Sequence, residues 1–197
     1  TPTRKGSIQV DLSFVYKCTK EILKYSKRKK IIVTKSTVPV GTGDEIEKIL
    51  KRKKKLFTVI SNPEFLREGE AIRDFRYPDR IVIGSNEKKT FNIIRKLYAP
   101  IINKGSKFFT TSRRGAELIK YASNAFLATK ITFINELANL CEKSGVNIED
   151  ISLGMGSDSR IGGRFLRAGP AYGGSCFPKD TKGLVSAAEK YKINLSV

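Results

Sequence analysis

A chain of 197 residues with 40% apolar content is long enough for one good core, or for about one and a half domains. It has no histidine and three cysteines at unrelated spacings, Cys18, Cys141 and Cys176, a pattern that favours a reducing cytosol over a disulfide framework or a zinc site. No apolar run approaches the roughly 18 residues of a membrane span, so we expect neither a metal nor a membrane partner. The net charge of +19 favours anionic ligands.

Short apolar strand patterns alternate with helical patterns over the first part of the chain. Asp11 is placed to cap a first helix with Leu12, Val15, Ile22 and Leu23 on its apolar side. The predicted strands are 31–34, 57–60, 80–83 and 107–110, and the predicted helices between them are 44–51, 69–75 and 87–98. This alternation predicts an α/β fold, a partial Rossmann-like sheet that is largely parallel and covered by helices.

The rest of the chain is predicted to be helical. One long amphipathic helix runs from about Arg114 to Lys143, a shorter one begins near Asn147, and the last begins at Pro178. Apolar residues recur along the long helix at helical spacing: Leu118, Ala122, Phe126, Phe133, Leu137 and Leu140. We therefore predict two domains, residues 1–112 and an all-helical domain of residues 113–197.

Two basic runs carry much of the positive charge, Arg28-Lys29-Lys30 and Lys51-Arg52-Lys53-Lys54-Lys55. Each follows a helical pattern and precedes a strand, where cations complement the helix dipole. No helix-turn-helix pattern or RNA-binding aromatic motif accompanies them. We interpret the runs as solvated helix ends and expect no nucleic-acid partner. A basic binding module remains the alternative, and steep loss of binding with salt is its signature.

The segment Gly173-Gly174-Ser175-Cys176-Phe177-Pro178-Lys179-Asp180 places one thiol on a glycine-rich turn where a helix is predicted to begin. Unpaired backbone N–H groups and the positive end of the helix dipole favour the thiolate and lower the pKa of the thiol. Pro178 suits the first helical turn, and Lys179 adds a positive charge. Asp180, four residues after Cys176, is near enough to handle a proton or a water. A cysteine beside glycines is more often only buried, but the combination favours an activated nucleophile.

Four ordered segments lead up to that turn: Lys35–Thr42, Ser61–Gly69, Glu117–Lys130 and Arg160–Tyr172. Over nearly the whole chain they resemble the nucleotide-sugar 6-dehydrogenases, the UDP-glucose/GDP-mannose dehydrogenase family. The Cys-Phe-Pro-Lys-Asp run resembles the UDP-glucose branch more than the GDP-mannose branch. The resemblance implies NAD as cofactor, UDP-glucose as substrate, and a four-electron oxidation through a thiohemiacetal and a thioester on Cys176. A GDP-mannose 6-dehydrogenase and an inactive remnant remain alternatives.

The same resemblance assigns roles to individual residues. Lys120 and Asn124 share one helix face and hold an oxyanion. Glu64, just after a strand, is an acid/base in thioester hydrolysis, and Thr37 helps Asp180 to order a water. The implied catalytic residues are Cys176, Lys120, Asp180, Glu64, Asn124 and Thr37, and the implied cofactor contacts are Ser36, Thr37, Val38, Glu68 and Lys179.

The resemblance also implies a substrate loop. The implied substrate contacts are Glu64, Phe65, Leu66, Lys120, Asn124, Arg160, Phe165, Leu166, Arg167, Tyr172 and Gly173. Arginine suits a pyrophosphate or a sugar hydroxyl, and the glycines allow close backbone approach. In the family the residue that matches Arg160 reaches the substrate of a neighbouring subunit, which implies a homodimer through the long helix. Ala171 stands where many relatives have glycine.

No strand in the chain is followed by Gly-x-Gly-x-x-Gly, the loop that holds a cofactor pyrophosphate at a helix N-terminus. The family carries that loop near its N-terminus and a nucleotide-binding domain after the central helices. The resemblance therefore predicts that a chain running from Thr1 to Val197 is the middle of a longer enzyme. On this interpretation residues 1–112 are the later part of the NAD-binding domain, and the isolated chain is unstable or inactive.

Overall fold

The computed structural model describes residues 10–195, apart from the side chain of Lys54. These residues form two compact units, one up to Lys120 and one from Tyr121 onward. The prediction that this chain is the middle of a longer enzyme depends on its two ends, at Thr1 and Val197. Both ends lie outside the described residues. The predicted domain boundary after residue 112 stays a prediction.

The first unit alternates strands and helices, as the sequence predicts. Its elements are α1 (Ser13–Tyr25), β1 (Lys30–Thr34), α2 (Thr42–Ile49), a 3-10 helix (Leu50–Leu56), β2 (Phe57–Ser61), α3 (Ala71–Arg76), β3 (Arg80–Ser85), α4 (Lys88–Leu97), α5 (Ala99–Ile102), β4 (Lys107–Thr111) and the first turns of α6 (Arg113–Ser144). The sequence patterns did not indicate α5, a single turn that has Pro100 near its start. Each predicted strand lies within one or two residues of its observed bounds.

The Rossmann-like α/β class is confirmed, but the sheet is mixed. The strand order is β1-β2-β3-β4. The outer pairs are parallel, whereas β2 and β3 run antiparallel. The connection of residues 62–79 contains only the six-residue α3, about 9 Å long at the usual helical rise.

The carboxyl ends of the four strands meet in one line across the sheet. Thr34 pairs with Ser61, Ser61 with Gly84, and Gly84 with Thr111. We call these four residues the terminal row. The described register between β2 and β3 consists of two residue pairs, Ile60 with Ser85 and Ser61 with Gly84. The segments that follow β1 and β2 therefore start side by side, although half of the sheet runs the other way.

Two apolar clusters stabilise the first unit, one on each face of β2. Ile46, Leu50, Phe57 and Val59 form the cluster between α2 and β2. Ile60, Ile81, Ile83 and Ile94 form the cluster under α4. The clusters use neighbouring residues of β2, because successive side chains of a strand point to opposite faces.

Polar groups mark the helix ends that the sequence suggested. The Asp11 carboxylate accepts a hydrogen bond of 2.9 Å from the backbone N–H of Ser13, the first residue of α1. At the other end of α1, the Lys53 ammonium donates to the carbonyl of Leu23 at 2.9 Å. One lysine of the second basic run therefore contacts a helix C-terminus, but that of α1 and not of the helix that the run follows. No helix within residues 10–195 combines the length and the apolar character that crossing a bilayer requires.

The second unit is helical, and its helices begin and end close to the predicted positions. It consists of the rest of α6, α7 (Ile148–Gly156) and α8 (Phe177–Glu189). Asn147 caps α7 by accepting a hydrogen bond of 3.0 Å from the backbone N–H of Glu149. The core side chains are Tyr121, Ala125, Ala128, Ile134 and Leu166, all at most 2% exposed.

Helices α6 and α8 approach each other closely where a glycine faces an aromatic ring. A methyl group on Gly183 would lie 2.6 Å from Cε1 of Tyr121, whose side chain is fully buried. Real side chains do not approach so closely, and the ring is enclosed by the core. Gly183 therefore sets how near α8 can lie to α6.

We predict that Gly183→Ala lowers the free energy of unfolding by about 1–3 kcal/mol, because the new methyl group displaces a buried ring. The matched control is Gly154→Ala in α7, where an added methyl group meets nothing within 4 Å. That substitution gains about 1 kcal/mol of helix propensity. Denaturant unfolding of both variants measures the difference, and equal effects of the two would contradict the proposed close approach.

Candidate active site

Cys176 lies on the turn that the sequence singled out, immediately before α8. Gly174 has a positive φ of 76°, a conformation that glycine adopts without strain. Cys176 is the N-cap residue of α8, and its thiol is exposed, with Sγ 3.8 Å from Oγ of Ser175. The cysteine therefore directly precedes the first helical turn, although its side chain accepts no hydrogen bond from that turn.

Asp180 lies one helical turn after Cys176 and is completely buried. Its backbone N–H donates to the carbonyl of Cys176 at 2.8 Å. Nδ2 of Asn124 donates to one carboxylate oxygen at 2.5 Å, and the Lys179 ammonium forms an ion pair with the other. The second unit thus brings together four residues predicted for the site: Cys176, Asp180, Asn124 and Lys179.

The segment before the Cys176 turn packs around the ring of Phe177, the first residue of α8. Phe165 and Tyr172 both meet this ring edge to face, with centroids 6.1 and 6.2 Å away. Phe165 has a positive φ of 66°, which is uncommon for a bulky residue and indicates a constrained turn. Leu166 is buried, so its side chain belongs to the core and leaves only its backbone for contact with a ligand.

Arg160, Arg167 and Gly173 are exposed in the same unit, as ligand contacts require. The guanidinium of Arg160 is already engaged by Asp158, with Nη2 2.5 Å from Oδ2 and Nε 3.0 Å from Oδ1. This neighbour orients the arginine and compensates part of its charge.

Polar residues of α6 and α7 hold this loop, and no sequence pattern indicated this role. The ammonium of Lys130 donates to the carbonyls of Ile161 and Gly162, at 3.0 Å each. Oδ1 of Asn135 accepts from the backbone N–H of Gly169 at 2.9 Å. The hydroxyl of Ser152 donates to the carbonyl of Leu166 at 2.5 Å. In sequence these are ordinary polar positions of amphipathic helices.

In the first unit, the turn after β1 presents part of the predicted cofactor site. Ser36 is exposed and Thr37 is half-buried, whereas Val38 is only 3% exposed. The side chain of Val38 therefore anchors the turn in the core, and a cofactor contact at Val38 would involve its backbone.

The Glu117 carboxylate closes the far end of this turn and is 3% exposed. It accepts hydrogen bonds from the backbone N–H groups of Gly41 and Gly43, at 2.7 and 2.8 Å, and from the Ser61 hydroxyl at 3.2 Å. Burial raises the pKa of Glu117, while these donors favour the carboxylate and oppose the rise. Gly41 caps α2 without a side-chain contact of its own. Glu117 therefore supplies the cap, a role that the sequence pattern did not suggest.

The segment after β2 holds the other predicted residues of this unit. Glu64 and Glu68 are exposed, whereas Lys120 is 7% exposed, with its ammonium 5.1 Å from the centroid of the Phe65 ring. Arg80 covers the same ring at 4.0 Å. Phe65 thus lies between two cations. Leu66 is 36% exposed.

A small cleft of about 80 Å³ opens beside Glu64 and is lined by both polar and apolar side chains. The amide oxygen of Asn62 accepts from the Tyr98 hydroxyl at 2.5 Å and from the Lys35 ammonium at 3.3 Å. Burial lowers the pKa of Lys35, and the nearby Glu64 carboxylate opposes that change. Within the described residues, no group of three or more histidine, cysteine, aspartate or glutamate residues is arranged to hold a metal ion.

The chain matches two domains of one known protein family. Residues 1–102 match the UDP-glucose/GDP-mannose dehydrogenase family, NAD binding domain, and residues 114–197 match the central domain of the same family. The chain belongs to the UDP-glucose/GDP-mannose dehydrogenase family. The four ordered segments and the Cys176 turn that suggested the resemblance all fall within these two matches.

Individual members of the family are similar over nearly the whole chain. A UDP-glucose 6-dehydrogenase of Rhizobium meliloti is 53% identical over 195 residues, which cover 97% of this chain and 45% of the relative. The structure of a UDP-glucose dehydrogenase from Pyrobaculum islandicum has a TM-score of 0.91 at 36% identity, covering 98% of this chain and 45% of that one. A GDP-mannose dehydrogenase from Pseudomonas aeruginosa has a TM-score of 0.74 at 29% identity, covering 98% and 46%. The chain therefore spans somewhat less than half the length of these family members.

An ion pair closes the family segment that carries Glu64. The backbone N–H of Arg67 donates to Oδ2 of Asp74 at 2.7 Å, and its guanidinium contacts both carboxylate oxygens, with Nη2 2.5 Å from Oδ1. The side-chain hydrogen bonds from Arg67 lower the pKa of Asp74 to about 2. The Asp74 carboxylate therefore stays charged well into the acid range, and its ion pair with Arg67 stays intact over the same range.

We predict that Asp74 stabilises the fold through this pair above about pH 4, the ordinary pKa of an aspartate. Because the folded-state pKa lies below the unfolded-state value, the stabilisation is lost as the pH falls toward 2. Unfolding free energies of the wild type and Asp74→Asn, measured from pH 6 to pH 2, should differ by a constant amount down to about pH 4 and converge below it. Convergence already between pH 6 and pH 5 would contradict the assignment.

Proposed function

We propose that the protein containing this chain is an NAD-dependent UDP-glucose 6-dehydrogenase that converts UDP-glucose to UDP-glucuronate by two successive oxidations. The observation that carries the proposal is the exposed Cys176 thiol at the start of α8, one turn before a buried Asp180 that is paired with Asn124 and Lys179. A thiol with a positioned carboxylate suits covalent capture of an aldehyde followed by hydrolysis.

The residues after β1 fit one edge of an NAD molecule and not its pyrophosphate. Ser36 and Thr37 offer hydroxyl groups on an accessible turn. The N-terminus of α2 beyond them is already occupied by the Glu117 carboxylate, so it is closed to a phosphate. Ser36, Thr37 and the backbone of Val38 would hold the cofactor, with Glu68 and Lys179 as further contacts. NAD, when bound, accepts one hydride in each oxidation.

In the proposed course, the Cys176 thiolate attacks the aldehyde left by the first oxidation of the C6 alcohol. The new C–S bond makes a thiohemiacetal, and loss of a second hydride and of the hydroxyl proton leaves a thioester. Water adds to the thioester carbonyl, the C–S bond breaks, and Cys176 leaves as the thiolate beside the free carboxylate. Two NAD and one water are consumed for each substrate.

The remaining site residues have supporting roles in this proposal. Lys120 and Asn124 stabilise the oxyanions that form at C6. Asp180 and Thr37 order the hydrolytic water, and Glu64 transfers its proton. Arg160, Arg167 and the loop of Phe165 to Gly173 contact the nucleotide sugar, together with Phe65 and Leu66.

UDP-glucose is proposed over GDP-mannose because of the relatives. The relative named as acting on UDP-glucose is 53% identical to this chain, whereas the GDP-mannose dehydrogenase is 29% identical. The GDP-mannose enzyme remains the second candidate.

We expect the longest natural polypeptide containing this chain to form two NADH per UDP-glucose. Cys176→Ser should abolish steady-state turnover, since an alkoxide is a poorer leaving group than a thiolate and an ester would be trapped. The matched control is Cys18→Ser, at an exposed cysteine of α1, which should turn over like the wild type. Unchanged oxidation in Cys176→Ser would end the covalent proposal. NADH formed from GDP-mannose but not from UDP-glucose would identify a GDP-mannose 6-dehydrogenase. No NADH from either substrate would indicate an inactive remnant.

We further propose that two copies of the chain associate through α6. Phe126, Phe133 and Leu140 recur every seven residues and remain 67%, 47% and 62% exposed. Such an apolar stripe on a helix is typical of a helix–helix interface. The core of the unit instead uses Tyr121, Ala125, Ala128 and Ile134 from this helix.

Phe133→Glu should therefore lower the molar mass measured by sedimentation equilibrium to that of a monomer, because it places a charge in the apolar stripe. Phe14→Glu is the matched control, since Phe14 is also exposed but lies on α1. It should leave the mass unchanged. A dimer that survives Phe133→Glu would overturn the assignment of the interface to this stripe.

A further inference from the structure

We propose that Glu117 is a positioning residue whose buried carboxylate fixes the turn that carries Thr37, and so sets the rate at which water releases the thioester. The inference rests on the proposed function, because it assigns Thr37 to that step. Glu117 itself contacts neither substrate nor cofactor in this proposal.

The contacts of Glu117 reach two separate segments of the first unit. Gly41 and Gly43 donate from the turn after β1, and Ser61 donates from the terminal row. All three groups are hydrogen-bond donors, so a carboxylate matches them and an amide does not. Since the side chain is 3% exposed, water offers little replacement for a lost contact.

The turn has little freedom between its two anchors. It leaves β1 at Thr34 and reaches Gly41, where the Glu117 carboxylate holds it. Between them, Val38 is buried and the carbonyl of Pro39 accepts from the backbone N–H of Thr42 at 3.1 Å. Thr37 therefore depends on Glu117 for the position of the downstream half of its turn.

Close packing leaves the turn no easy alternative. A methyl group added to Gly43 would lie 3.1 Å from Oε1 of Glu117. The backbone at Gly43 is therefore so close to the carboxylate that even an alanine there would make a tight contact. Gly41 has a positive φ of 95°. A residue without a carboxylate at position 117 would leave at least one of these backbone donors without its acceptor and would let the turn shift.

Glu117 also lies three residues before Lys120 on α6. The same helical turn therefore carries the anchor of the Thr37 turn and the proposed oxyanion cation. This arrangement fixes the spacing between the two within the first unit, and loss of the anchor would leave Lys120 in place while Thr37 moves.

The test compares Glu117→Gln with Asp44→Asn in the longest natural polypeptide that contains the chain. The Asp44 carboxylate pairs with Arg113 at 2.7 Å and with Arg114 at 2.6 Å, so this side chain joins α2 to α6. Asp44 contacts the Thr37 turn through its backbone N–H, which donates to the carbonyl of Gly41 and is retained in the variant. Asp44→Asn thus controls for a general loss of α2–α6 contact. Glu117→Asp, which keeps the charge, tests for partial recovery.

We expect Glu117→Gln to lower the steady-state rate by roughly 10²-fold, the cost of a misplacement of about 1 Å. At saturating NAD, which compensates for any weaker cofactor binding by the loosened turn, the first-turnover burst of two NADH per site should keep its rate. A thioester on Cys176 should then accumulate and be detected by mass spectrometry of acid-quenched samples. Glu117→Asp should recover part of the steady-state rate. Asp44→Asn should show no such separation of burst from steady state. Equal slowing of burst and steady state, or the same pattern in Asp44→Asn, would overturn the proposal.

Amide hydrogen exchange tests the positioning itself, whatever the substrate proves to be. Residues 35–43 should exchange faster in Glu117→Gln than in the wild type or Asp44→Asn, while β2 and β3 keep their protection. Unchanged exchange of this turn would refute the positioning role. If the wild type forms no NADH from UDP-glucose but the turn still loosens in Glu117→Gln, the proposed substrate fails and the anchoring stands.

Discussion

The turn after β1 in the first unit is held in place by one buried carboxylate, that of Glu117. Removing the charge of Glu117 from solvent carries a desolvation penalty, and three donors from two segments compensate it. The N-terminus of a helix that follows a strand in a Rossmann-like sheet is commonly where a ligand phosphate binds. Here the protein supplies the anion itself. The turn after β1 is thereby fixed as part of the framework, and Ser36 and Thr37 can project from a rigid support.

The first turn of α6 also links α2 to the two central strands of the sheet. Arg113 is 3% exposed, pairs with Asp44 and Glu47 of α2, and donates to the carbonyl of Val59 in β2 at 3.4 Å. Burial alone would lower the pKa of Arg113, but the hydrogen bonds that it donates to Glu47 and Asp44 raise it. A methyl group on Gly84 of β3 would lie 2.6 Å from Cβ of Ala116. Helix α6 therefore rests on both halves of the sheet, across the two residue pairs that join β2 to β3.

Sequence patterns predicted the elements well, because strand and helix periodicities are local properties. They predicted the Cys176 turn for the same reason, since its glycines, Pro178 and Asp180 lie within one short segment. The antiparallel step between β2 and β3 depends on pairing between residues that are distant along the chain, which no local pattern records. The roles of Glu117, Lys130 and Asn135 depend on backbone groups that are distant along the chain. Val38 and Leu166 lie in motifs, but whether a motif residue faces a ligand or the core is decided by packing.

The narrow junction at the terminal row has a consequence for how the first unit opens. Each half of the sheet has its own five-residue parallel pairing. The two halves share two residue pairs of the described register and one apolar cluster, in which Ile60 of β2 packs with Ile81 and Ile83 of β3. Partial unfolding in proteins follows cooperative units of this kind. The β1–α2–β2 half and the β3–α4–β4 half are therefore expected to separate only when Ile60 leaves that cluster. Helix α6 contacts both halves and opposes their separation, so weaker contacts of α6 would let one half unfold while the other stays folded.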